Sequence, residues 1–286
     1  MNSRFGWLLG LSLVAPTFSP ALAQGVDLAE VDRFVAAQMK RFDVPGVALA
    51  IVKDGKVVLT KGYGVRDTTS SAAVNADTLF AIGSVSKSFT ALGVMRQVEK
   101  GTLKLDAPVN TYLPALKFSD ARQGSKVTLR HLLSMTSGLP RADNEWALSR
   151  TITTRAQMLE TISRIGFTHD PGTTFQYCNQ NFVAAGAALE AVTKQSWEAY
   201  TKTNVFAPLG MNRSVFEYSD AVKDGNVAAG YTTASDGVKN LPAFDRLVIA
   251  GPAGSIHSSA NDMARYLIFN SGMDAWAVNA CCPPTA

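Results

Sequence analysis

Ser84 and Lys87 stand three residues apart in the stretch 80–104, F-A-I-G-S-V-S-K-S-F-T-A-L-G-V-M-R-Q-V-E-K-G-T-L-K. From Val85 the apolar residues Phe89, Leu92, Val94, Met95 and Val98 recur at helical spacing, and Gly101 marks a C-cap. Positions i and i+3 share a helix face about 5–6 Å apart. Lys87 is therefore expected one turn above Ser84, near the unpaired N–H groups of the first turn. A serine hydroxyl is a weak nucleophile until a neighbour takes its proton, and a buried lysine with a lowered pKa can do that. Phe80, Ile82, Val85 and Phe89 are expected to hold the pair against the core. An N-cap serine followed by a surface lysine would give the same spacing.

Tyr177 and Asn179 are expected on a turn between Pro171-Gly172 and an Ala-rich helix. Such residues often only cap and fill. Beside Ser84 and Lys87 they gain a use: a tyrosine next to an ammonium can shuttle protons, and an asparagine can orient the lysine and bind a substrate amide carbonyl.

The elements that must position these four residues follow from the pattern along the chain. An amphipathic helix is expected over 27–42. Two Val/Ile/Leu-rich runs, 47–53 and 56–63, flank Asp54-Gly55 and predict a β-hairpin with a type I′ turn. Residues 65–78 read as loop, as do 105–114 apart from one short helical turn. Helices are expected over 127–134 (capped by Thr128), 154–165, 182–192 and 196–205, with Pro208-Leu209-Gly210 as a stop. Residues 214–245 look irregular, 249–259 are Gly- and Ser-rich, and 260–270 form a helix capped by Ser259 or Asn261. No internal repeat is visible.

The chain has 286 residues, 47% hydrophobic and 17% charged, enough for one large domain or a domain with an insertion. Net charge is +4, but Lys and Arg are scattered with no basic stripe among aromatics, so no nucleic-acid partner is expected. Residues 1–23 read as a secretory signal peptide: Arg4, an apolar run over 5–14, and Ala21-Leu22-Ala23 as the cleavage site. That run is too short to span a bilayer, and no cysteine follows to take a lipid. A periplasmic or secreted protein without stable membrane insertion is expected. Cys178, Cys281 and Cys282 form no disulfide framework, and His131, His169 and His257 lie far apart. Neither metal nor cofactor is expected.

With S-V-S-K at 84–87 and Y-C-N at 177–179, the chain resembles the serine β-lactamase and penicillin-binding protein superfamily. It is most similar to the branch of class C β-lactamases, D-alanyl-D-alanine carboxypeptidases and related esterases. The likeness extends through V-P-G-V-A-L-A-I-V-K-D-G-K (44–56), L-R-H-L-L-S-M-T-S-G-L (129–139), P-G-T-T-F-Q-Y-C-N (171–179) and G-P-A-G-S-I-H-S-S-A-N-D-M-A (251–264). It implies an α/β (α+β) fold, an antiparallel sheet flanked by helices beside a mostly helical region, over residues 24–272. It also implies an acyl-enzyme reaction with Ser84, Lys87 and Tyr177 catalytic and Asn179 binding substrate. The Ser84 N–H would be one oxyanion donor. The substrate would be a β-lactam, a peptidoglycan-derived peptide or an ester.

One departure stands out. The family's Lys- or His-Thr/Ser-Gly element on a late strand has no counterpart after Asn179, and His257-Ser258-Ser259 falls in the stretch that precedes that strand. Pattern is lost abruptly at Met273, and 273–286 read as an unpatterned tail. The expectation is a chain truncated near 272, its C-terminal strands and helix missing, with weak or no turnover. A non-catalytic penicillin-binding-like protein and an inactive fragment are the alternatives.

Overall fold

A computed structural model of the chain describes residues 25–143, 151–234, 237–241 and 249–272. The expected signal peptide and the 273–286 tail lie outside the described residues. Helix α1 (Leu28–Arg41) is capped by Asp27, whose carboxylate accepts from the N–H groups of Ala29 and Glu30. Strands β1 (Gly46–Lys53) and β2 (Lys56–Asp67) pair from Lys53 opposite Lys56 out to Gly46 opposite Gly64. The turn between them has Asp54 at φ 52° and Gly55 at φ 70°, the left-handed pair that type I′ demands. Asp32 ties α1 to this hairpin by accepting from Lys61 and Tyr63, each at 2.8 Å.

The hairpin is longer than its apolar pattern. Strand β3 (Ala72–Ala73) pairs with Val65 and Asp67 of β2, inside the stretch expected to be loop. Ladder bonds need only backbone, so β2 runs on past its last Val/Ile/Leu residue. The sheet order is β1-β2-β3, and among the described residues no strand pairs with the outer edge of β1.

Short strands then set up the entry to the helix that carries Lys87. Strand β4 (Phe80–Ala81) leads through a 3₁₀ turn, Gly83–Val85, into α2 (Ser86–Glu99). Helices α3 (Leu129–Leu133) and α4 (Arg155–Glu160) start at the expected threonines, Thr128 and Thr154, each in a capping box. The Ala-rich helix α5 (Asn179–Thr193) begins three residues before the expected 182. Helix α6 (Trp197–Thr201) gives way to a π-turn over Lys202–Phe206 where one α-helix to Val205 was expected.

The stretch 214–245, expected to be irregular, holds α7 (Tyr218–Asp224) and the antiparallel pair β5 (Gly230–Ala234) and β6 (Gly237–Leu241). A one-turn helix α8 (Gly251–Gly254) precedes β7 (His257–Ser258), which pairs with β4. Helix α9 (Ala260–Asn270), capped by Ser259, packs on β1 and β2.

The main core lies in the helical region. Phe89 of α2 is fully buried, edge-on to Phe206 at 5.6 Å and stacked on Tyr266 at 4.0 Å. Ala184, Ala185 and Ala188 of α5 are fully buried as well, and their small side chains let neighbouring backbones come close. At Gly186 the approach is closest: a Cβ there would stand 2.4 Å from Cγ of Pro252 in α8. The chain therefore folds as the mixed α and antiparallel-β architecture expected from its sequence.

Candidate active site

Ser84 sits in the middle of the 3₁₀ turn, two residues before α2 begins. Sequence spacing placed it at the start of a regular α-helix. Lys87 lies in the first turn of α2, and its Nζ donates to Ser84 Oγ at 3.0 Å. Gly83 sets up the turn with φ 51°, a left-handed conformation that costs glycine nothing and a β-carbon residue something. Upstream, the Ile82 N–H donates to Ile256 O at 2.9 Å, so the β4–β7 pairing fixes where the turn starts.

The segment 250–256 braces α2 from behind. Thr90 Oγ1 donates to Pro252 O at 2.7 Å, and Ser86 Oγ accepts from the Ile256 N–H at 3.1 Å. Lys87 Nζ donates to Ala253 O at 2.6 Å. Lys87 is only 7% exposed, whereas Ser84 is open to solvent. A buried amine thus stands behind an accessible hydroxyl.

Tyr177 arrives from the other side. The strand-like run before α5 is held by the loop after α3: Gln176 N–H donates to Met135 O at 2.8 Å, and Gly172 N–H to Thr136 O at 2.7 Å. This delivers the Tyr177 hydroxyl to 2.5 Å from Ser84 Oγ. The Tyr177 ring lies between two cations, Lys87 Nζ at 4.8 Å and the Arg141 guanidinium carbon at 5.4 Å from its centroid. Phe182 of α5 adds a second ring 5.8 Å from Lys87 Nζ.

Burial pushes the Lys87 pKa down, and Arg141 adds to that; the Tyr177 phenol and the Asp143 carboxylate pull the other way. The apolar surround was expected from Phe80, Ile82, Val85 and Phe89. Val85 is instead 46% exposed, and the rings of Tyr177 and Phe182 lie over the amine.

Asn179 is the first residue of α5, one step beyond the N-cap Cys178, and not a turn residue. Its Nδ2 donates to Asp143 Oδ1 at 2.7 Å. The two residues after it are buried and hold the 137–142 loop: Gln180 Nε2 donates to Ala142 O at 3.0 Å, and Asn181 Oδ1 accepts from Ser137 Oγ at 2.8 Å. These side-chain bonds tie the first turn of α5 to the loop after α3. All four sequence-identified residues are thus gathered within one cluster.

Sequence reasoning missed Arg141, Asp143, Phe182 and the Ala253 carbonyl. The only available signal was the pair of opposite charges in P-R-A-D, directly after S-G-L. His257 is buried, its Nδ1 3.0 Å from Ser255 O, and desolvation lowers its pKa. Among the described residues no group of three His, Cys, Asp or Glu side chains is placed to hold a metal ion.

A family model described as Beta-lactamase matches residues 31–278. Protein flp of Staphylococcus aureus is 28% identical over 245 residues, covering 84% of this chain and 48% of that protein. The octameric penicillin-binding protein homologue from Pyrococcus abyssi is 32% identical with a TM-score of 0.78, covering 88% of this chain and 58% of that one. The D-alanine carboxypeptidase AmpC from Burkholderia cenocepacia is 28% identical with a TM-score of 0.70, covering 89% and 68% respectively. The chain spans about half the length of the curated relatives it matches first.

Proposed function

This chain belongs to the Beta-lactamase family, and on that premise we propose that it is a serine hydrolase working through an acyl-enzyme on Ser84. The observation that carries the reading is the convergence on one hydroxyl: Ser84 Oγ has Tyr177 OH at 2.5 Å and Lys87 Nζ at 3.0 Å. A nucleophile with a base in hydrogen-bond reach, and that base oriented by a third group, is the arrangement acyl transfer requires.

The geometry supports the following acylation. Neutral Lys87, favoured by burial and anchored on Ala253 O, draws the Ser84 proton directly or through Tyr177. Ser84 Oγ attacks the substrate carbonyl, and the resulting oxyanion meets the Ser84 N–H, which lies in the first turn where no helical acceptor competes for it. As the tetrahedral adduct collapses, Tyr177 or Lys87 returns the proton to the leaving group. Water, activated by the same pair, then hydrolyses the ester. Asn179 contacts the acyl part of the substrate beside the nucleophile.

The substrate class is a β-lactam, a peptidoglycan-derived peptide or an ester. The similarity to the D-alanine carboxypeptidase AmpC supports a peptide ending in D-alanine, and the expected export supports a periplasmic or secreted location where such peptides occur. A panel of an activated ester, a cephalosporin and a D-alanyl-D-alanine peptide tests the reading. Turnover of at least one, abolished by Ser84→Ala, is the expected result. A Ser84 adduct with none turned over would favour a penicillin-binding protein without hydrolysis, and turnover unaffected by Ser84→Ala would overturn the nucleophile.

A further inference from the structure

We propose that Asp143 is a positioning residue of this site, fixing which end of the Asn179 amide faces an incoming substrate and setting the charge beside Lys87. The inference rests on the hydrolase reading of Ser84 and assigns that site a part the sequence motifs do not contain.

The chemistry of a carboxylate decides the amide's orientation. An ionised Asp143 can only accept hydrogen bonds, so the atom of Asn179 at 2.7 Å from its Oδ1 must be the amide nitrogen. The Asn179 carbonyl oxygen is then turned away from Asp143. Without the carboxylate the amide could rotate by half a turn at little cost, and a substrate amide would meet either a donor or an acceptor. Asp143 is four-fifths buried and is itself held in place: Arg141 Nε donates to its Oδ2 at 2.6 Å. The same Arg141 lies 5.4 Å from the Tyr177 ring centroid. One carboxylate thus sets an amide on one side and, through the arginine, the outer face of the tyrosine on the other.

The second consequence is electrostatic. The ionisable groups that act on Lys87 are Tyr177 and Cys178 from the run into α5, with Arg141 and Asp143 from the loop after α3. Asp143 is the carboxylate among them. Its negative charge favours the ammonium form of Lys87, and the arginine opposes it. Removing the charge leaves Arg141 uncompensated, so both changes act in one direction. The lysine should lose its proton more readily, and the acid limb of kcat/KM should move to lower pH.

Two variants and two substrates test this. Asp143→Asn keeps the size and an acceptor but removes the charge; Asp143→Ala removes both. The substrates are an activated acetate ester with no amide side chain and a cephalosporin with one. Asp143→Asn is expected to shift the acid limb to lower pH with both substrates. Asp143→Ala is expected to do the same and to raise KM about fivefold to tenfold for the cephalosporin, the worth of one hydrogen bond, with a smaller rise for the ester. Equal losses on both substrates with an unmoved acid limb would mean that Asp143 only supports the fold, and would overturn the proposal. Absence of any Ser84 adduct in the unsubstituted protein would instead overturn the hydrolase reading, and the proposal with it.

Discussion

Lys87 Nζ donates to the carbonyl oxygen of Ala253 at 2.6 Å, joining α2 to a turn 166 residues further along the chain. The same amine donates to Ser84 at 3.0 Å. The amine is therefore fixed at its back by α8, and α8 in turn rests on α5 where Gly186 meets Pro252. A contact far from the chemistry controls the position of the amine.

Gly186→Ala tests that chain of contacts. The added methyl would start 2.4 Å from Pro252 Cγ, and the ring cannot bend aside. Overpacking of this kind costs about 1–3 kcal/mol, seen as a fall in the thermal midpoint of roughly 2–4 °C per kcal/mol for a chain of this size. Because Ala253 follows Pro252 directly, kcat/KM should fall as well. A melting curve and an ester assay on the variant check both, and an unchanged midpoint would refute the packing argument.

Lys87→Ala should lower the acylation rate by about 10²–10⁴-fold, the usual worth of a general base. In the unsubstituted protein, activity should rise with pH through the depressed pKa of Lys87, because the neutral amine is the working form. Stability follows the same sign. Between that depressed pKa and the ordinary 10.5 the unfolded chain binds the extra proton, so stability increases with pH across that window. Stopped-flow acylation across pH would show the limb in the parent and its absence in the variant.

Tyr177→Phe removes the hydroxyl 2.5 Å from Ser84 Oγ and leaves the ring between Lys87 and Arg141. The expected result is a loss of about 10²-fold or more in kcat/KM with little change in thermal midpoint. Equal activity would assign the proton to Lys87 alone.

Cys178 is fully buried at the N-cap of α5, and desolvation pushes its thiol up to about 11. Only the thiolate reacts readily. Native protein at neutral pH should therefore leave Cys178 unalkylated by iodoacetamide, as peptide mapping would read, until the chain is unfolded.

The sequence carried the parts of this account that depend on local chemistry. Asp54-Gly55 announced the hairpin because both positions need positive φ, and Thr128 and Ser259 announced helix starts because their side chains cap. Ser84, Lys87 and Tyr177 stood out for the same reason, their residue types and spacing, and the fold brings their side chains within hydrogen-bond reach. What stayed hidden depends on distant partners. The β4–β7 pairing joins residues over 170 positions apart with two residues per strand, too few for any alternation to show. The side-chain bonds by which Gln180 and Asn181 tie α5 to the 137–142 loop are equally invisible in any local pattern. Asp143 looked like an ordinary loop acid, and only the fold brings it to Asn179. The hairpin β5–β6 lies in a stretch whose apolar residues show no alternation that would announce it.

The most direct test of the central claim is intact mass spectrometry of residues 24–286 after exposure to a penicillin and, separately, to an activated ester, with Ser84→Ala alongside. The account predicts a stoichiometric acyl adduct with at least one reagent, mapped to Ser84 and absent from the variant. An adduct that persists in Ser84→Ala, or none from either reagent on protein that melts cooperatively, would contradict it.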